Sequence, residues 1–142
     1  VIRELRALRR LMLRHPPSNN QRAAALFLGL GHYKAHMRRL GTALSKRADL
    51  LRESLQKHLP EFRVKLGPGV SSCWLEGPPT VDATLLTASA EKKGVLVEAG
   101  DIFFMQDDPP KNFLRLGFSS IPVERIDAGI AALASVIHAP KS

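Results

Sequence analysis

The sequence predicts an α+β fold: a small antiparallel or mixed sheet, covered by helices on one side and preceded by a helical segment with one long helix. Three observations lead there. Apolar residues recur at three-to-four spacing from Ile2 to Leu55, as amphipathic helices require. From Phe62 the pattern changes to alternation, as half-buried strands require. Helical spacing returns near Asp82 and again after Pro122. At 142 residues the chain is long enough for a single domain with a real core.

Each element has its own local reason. Ile2, Leu5, Leu8 and Leu11/Met12 mark a first amphipathic helix, which Pro16-Pro17 ends. Ser18-Asn-Asn-Gln21 reads as a capping box, the Ser18 hydroxyl and the Gln21 amide serving orphan backbone donors. A short apolar helix from Arg22 to Leu28 follows and stops at Gly29 and Gly31. The longest helix runs from His32 to about Leu59, with Tyr33, Met37, Leu40, Leu44, Leu51 and Leu55 on one stripe, and Pro60 closes it. Phe62–Leu66 and Val70–Leu75 alternate as strands around the turn Gly67-Pro-Gly69. Residues 82–93 form a helix with Asp82 at its start and Lys92, Lys93 and Gly94 at its end. Val95–Phe104 and Asn112–Ser120 read as two further strands. In the last helix Pro122 takes the first position, and Ile126, Ile130, Leu133, Val136 and Ile137 supply the apolar face.

Charge divides the chain. Residues 1–65 hold fifteen Lys/Arg against four Asp/Glu, a net +11, and the remainder is −3. A basic half fits a polyanion such as nucleic acid, a solvated surface, or a face that meets an acidic partner segment. No recognised nucleic-acid motif accompanies the charge. The lone cysteine, Cys73, rules out a disulfide framework, and no signal peptide or membrane span is visible, so a reducing, cytoplasmic setting is expected.

Candidate chemistry is sparse, and no residue reads as catalytic. His32 and His36 are four apart on a helix but lack a third ligand, so no metal site is expected. Cys73 beside Trp74 reads as a buried thiol rather than a nucleophile. Asp107-Asp108-Pro-Pro is a loop tip, and Glu98 and Asp101 flank a glycine turn. Gly29-Leu-Gly31 is no phosphate loop, since no strand precedes it. Arg115 differs, because it stands between apolar neighbours in Phe113-Leu-Arg-Leu-Gly117. Burying a guanidinium there is costly unless an anion meets it. Two readings stand: recognition of a ligand carboxylate, or an edge-strand arginine snorkelling to solvent or pairing with Glu98 or Asp101.

Val95-Leu-Val-Glu-Ala-Gly-Asp-Ile-Phe-Phe104, followed by Leu114-Arg-Leu-Gly-Phe-Ser-Ser120, resembles the C-terminal part of fold-type I, pyridoxal-phosphate (PLP)-dependent aminotransferases of class I/II. The likeness is greatest to the aminotransferase-like domain of MocR-type transcriptional regulators of the GntR superfamily. Arg9–Ala23, Gly31–Leu40 and Pro122–Ile130 fit the same pattern, so the resemblance covers essentially the whole chain.

The resemblance implies a division into residues 1–31, a helical segment continuing from a large domain, and residues 32–142, a small C-terminal domain. It implies that Arg115 grips the α-carboxylate of an amino-acid effector or its PLP imine. Arg10 falls where dicarboxylate-specific aminotransferases place a second carboxylate-binding arginine from the neighbouring subunit. The loop carrying Ser18 and Asn20 resembles one near the cofactor at the dimer interface. The intact parent would then bind PLP, form a homodimer and reach DNA through a separate N-terminal domain. The family's Schiff-base lysine, its phosphate cluster and the Asp that pairs with the pyridine nitrogen are expected upstream of Val1. None of the eight lysines, from Lys34 to Lys141, sits in such a context, so tight PLP binding by this piece alone is not expected. A parent that is a true amino-acid aminotransferase is the alternative.

Overall fold

The computed structural model describes residues 1–139; Lys141 lies outside them. The elements in chain order are α1 (Ile2–Met12), α2 (Ser18–Gly29), α3 (His32–His58), β1 (Arg63–Lys65), β2 (Ser72–Glu76), α4 (Ala83–Lys92), β3 (Glu98–Ala99), a 3-10 turn (Asp101–Phe103), β4 (Phe113–Gly117) and α5 (Val123–Ile137). The chain falls into two compact units, Val1–Leu40 and Gly41–Ser142, so that α3 begins in the first and ends in the second.

In the second unit the strands form one sheet in the order β1-β2-β4-β3, antiparallel at every junction. Alternation decides which face is covered. Cys73 and Leu75 of β2 and Leu114 and Leu116 of β4 are buried, whereas Trp74, Phe113 and Arg115 between them are only half-buried. The buried set joins Leu51, Leu55, Leu59, Leu86, Ile126, Ile130 and Leu133 from the helical segments in one core. Each such Leu or Ile removed from water contributes about 1.5–3 kcal/mol. The helices therefore cover one side of the sheet, as predicted, and the other side is left for the site.

Local signals account for the sharpest boundaries. The Asp82 carboxylate accepts from the backbone N–H groups of Thr84 at 3.0 Å and Leu85 at 3.2 Å, capping α4. At the other end Gly94 takes φ +76°, and Val95 N–H donates to the Ala90 carbonyl while Gly94 N–H donates to Glu91, a Schellman closure. The end of α3 is pinned to α5: the Asp127 carboxylate accepts from Lys57 Nζ at 3.2 Å and lies 3.0 Å from His58 Nε2.

Several expectations need correction. Residues 95–104 do not form a long strand. Pairing stops after Ala99, where Gly100 N–H donates to the Phe113 carbonyl at 2.8 Å, and the Asp101 carboxylate accepts from Ile102 N–H at 2.9 Å to start the 3-10 turn. Ser18 and Gln21 do not form a capping box. Pro17 takes the cap position with extended ψ, Ser18 is already inside α2 and makes no capping hydrogen bond, and the Gln21 amide donates to the Pro16 carbonyl at 2.7 Å. The short helix consequently begins at Ser18 rather than Arg22. Pro122 is the cap of α5 rather than its first helical residue. The stripe of α3 is covered only at its C-terminal end, where Leu51 and Leu55 are buried, while Tyr33, Met37 and Leu40 are exposed.

Candidate functional site

Arg115 stands at the middle of β4, and the register of the sheet places a different partner on each side of it. In β2 its direct neighbour is Trp74, and in β3 it is Glu98. Residues opposite one another in antiparallel strands project from the same face. The row Trp74–Arg115–Glu98 thus runs across the uncovered side of the sheet. Glu98 Oε2 accepts a hydrogen bond from Arg115 Nη1. The guanidinium carbon also lies 5.9 Å from the centre of the Phe103 ring.

Aromatic rings form the floor beside this row. Trp74 meets Phe103 edge-on at 5.6 Å between centres and stacks on Phe113 at 5.7 Å. Phe104 closes the group at 5.2 Å from Phe113. Phe103 remains half exposed, so the cluster presents an open apolar surface next to the guanidinium.

The premise that Arg115 is a buried cation is corrected by the structure. Its side chain is 40% exposed, and Glu98, at 53%, already meets it. Of the two readings left open by the sequence, the pairing with Glu98 is present, and Arg115 lies on a central rather than an edge strand. Asp101 is engaged elsewhere, accepting from Thr84 Oγ1 at 3.3 Å as well as from Ile102 N–H.

Arg10 lies on α1, and Ser18 and Asn20 lie in the first turn of α2; all three are exposed and belong to the unit Val1–Leu40. In that unit Phe27 gathers His32, Tyr33 and His36 at ring separations of 6.2 to 6.3 Å. Among the described residues no group of three His, Cys, Asp or Glu could hold a metal, and no helix is long and apolar enough to cross a membrane. Cys73 is buried in the core, and burial pushes its thiol up to about 11.

Sequence reasoning missed Phe103 and Trp74 as neighbours of Arg115. Trp74 could have been found from alternation, which places it opposite the buried Cys73 and Leu75. Phe103 could not, because the 3-10 turn that carries it has no signal in an apolar stretch that alternation continues as strand.

No protein-family model matches the chain. It is 38% identical over 134 residues to the HTH-type transcriptional regulator TauR of Rhodobacter capsulatus, covering 94% of this chain and 28% of the regulator. It is 31% identical over 108 residues to aromatic-amino-acid aminotransferase 1 of Thermococcus litoralis, covering 75% of this chain and 26% of that enzyme. Its fold superposes on that of LysN, the alpha-aminoadipate aminotransferase of Thermus thermophilus, solved with N-(5'-phosphopyridoxyl)-L-leucine. The TM-score is 0.79 at 23% identity, over 96% of this chain and 35% of LysN. The chain thus spans about a quarter to a third of the length of the proteins it matches.

Such relatives imply PLP in the intact family. Around the Arg115 guanidinium stand the Glu98 carboxylate and the Phe103 ring, and a guanidinium suits a carboxylate. That group offers neither an imine-forming lysine nor a cup for phosphate. By sequence the chain belongs with the C-terminal, aminotransferase-like domain of MocR-type regulators of the GntR superfamily, and its fold is that of the PLP-dependent aminotransferases.

Proposed function

We propose that this chain is the small domain of the effector-sensing module of a transcriptional regulator, and that Arg115 binds the carboxylate of an amino-acid effector. The observation that carries the reading is the placement of Arg115. It is fixed at the centre of the sheet, on the uncovered face, partly open to solvent and already holding a carboxylate, that of Glu98. A guanidinium presents paired N–H donors that match a carboxylate. Resemblance to a regulator over 94% of the chain supports the setting.

In the intact protein, residues 1–31 would continue from a large domain that holds PLP, and residues 32–142 would close over the effector. PLP supplies covalent capture of the effector's amino group when bound. Arg115 would orient the other end, and Arg10, Ser18 and Asn20 would face the cofactor or the second subunit of a homodimer. A separate N-terminal domain would contact DNA, and effector binding would shift the dimer between two states.

The test compares two stable adducts on the intact protein by calorimetry. One is N-(5'-phosphopyridoxyl)-L-leucine, and the other is its 3-methylbutylamine counterpart, identical but lacking the carboxylate. Charge-assisted hydrogen bonds contribute about 1.5–3 kcal/mol, so the first should bind roughly ten- to hundredfold tighter. Arg115→Ala should erase that preference. Should the variant keep it, Arg115 is not the carboxylate site.

The 31% identity to an aminotransferase favours a second reading, in which the parent is an enzyme and Arg115 orients its substrate. Turnover of an amino acid with a keto acid supports the enzyme. Effector-dependent binding of operator DNA without turnover supports the regulator.

A further inference from the structure

We infer that Glu98 is an internal competitor for the carboxylate site: without ligand it occupies Arg115, and a bound amino acid must displace it. The inference rests on the reading of Arg115 given above. Glu98 and Arg115 are direct partners in the β3–β4 ladder, so the acid is delivered to the guanidinium by sheet register rather than by a flexible loop. It takes Nη1, one of the donors through which the guanidinium fork grips a ligand carboxylate.

Two features make the contact releasable. The Glu98 side chain is 53% exposed and can turn into water without leaving a buried charge. The strand that carries it is two residues long and gives way at once to Gly100 and the 3-10 turn. The other acid of this turn, Asp101, is committed to Thr84 and Ile102, so Glu98 alone of the two faces Arg115. The Phe103 ring, 5.9 Å from the guanidinium carbon, stays beside Arg115 when Glu98 leaves. The ion pair thereby raises the concentration at which effector fills the site and prevents weaker anions from resting there.

The test uses the same two adducts on the intact protein with Glu98→Gln. Removing a competitor of this exposure should tighten the carboxylate-bearing adduct about two- to fivefold. The carboxylate-free adduct should be unaffected, and Glu98→Asp should fall between wild type and Gln. A merely structural role for Glu98 would move both adducts together. Equal changes in the two, or no tightening in Glu98→Gln while Arg115→Ala still erases the preference, would overturn the competition and leave the site standing. Loss of all effect from Arg115→Ala would overturn both.

Discussion

Gly100 is where the sheet and the site depend on the same absent atom. A Cβ at this position would lie 2.6 Å from Phe113 Cβ, 2.8 Å from the Trp74 ring and 2.9 Å from the Phe113 carbonyl carbon. Its φ of −82° and ψ of −14° suit any residue, so the penalty for Gly100→Ala is purely steric. Two of the three clashing atoms belong to the body of β4 and cannot move without shifting the strand that carries Arg115. Overpacking of this kind costs about 1–3 kcal/mol. For a unit of about a hundred residues, 2 kcal/mol corresponds to a fall in melting temperature of roughly 8–16 °C. Calorimetry measures the fall, and emission from Trp74, the single tryptophan, reports whether the aromatic floor has moved. Gly41→Ala is the control. It lies within α3 with nothing within 4 Å of the added atom, and should gain about 0.5–1 kcal/mol. A Gly100→Ala protein that melts within a degree of wild type with unchanged emission would refute the reasoning.

Two further outcomes follow from titrating groups. Lys57, and then His58, hold the Asp127 carboxyl below its ordinary range. The folded state therefore binds fewer protons there than the unfolded state. The benefit is present above the unfolded value, near pH 4, and is lost as pH falls through the folded one. Asp127→Asn should be less stable than wild type in urea at pH 7 and nearly equal to it at pH 2; a gap of the same size at both would refute the assignment. Cys73, with its thiol near 11, should react with a disulfide reagent at pH 8 roughly a hundredfold more slowly in the native chain than in urea. Equal rates would show that the thiol is neither buried nor shifted.

How far the sequence could be read follows the range of the interactions involved. The ends of α4 were legible because Asp82 and Gly94 act within a single turn of chain. Arg115 was legible as an anomaly because alternation sets its apolar neighbours against it. Its partner was harder. Glu98 is seventeen positions away, and only the register of β3 against β4 brings the two together. The pairing stood among the alternatives, but spacing could not choose between it and an external anion. Pro17 stands at the cap ahead of Ser18, its carbonyl accepting the first helical hydrogen bond from Gln21 N–H at 3.1 Å, and the hydrogen-bonding preference of Ser18 alone does not fix where the helix begins. The stripe on α3 marked an apolar face without saying how much of it would be covered. Leu55 is buried, and Met37 is exposed.

The brevity of the outer strands bears on how this chain meets other molecules. An open sheet offers rows of unpaired backbone groups at both margins, and long flat margins invite pairing with another chain. Here one margin is β3, two residues long and folded away by the turn that follows. The other is β1, three residues of sequence Arg-Val-Lys, whose cations repel a like neighbour. Edge-to-edge pairing through the sheet is therefore disfavoured by brevity at both margins, and at β1 also by the exposed Lys65 and the Arg63 that reaches Glu76.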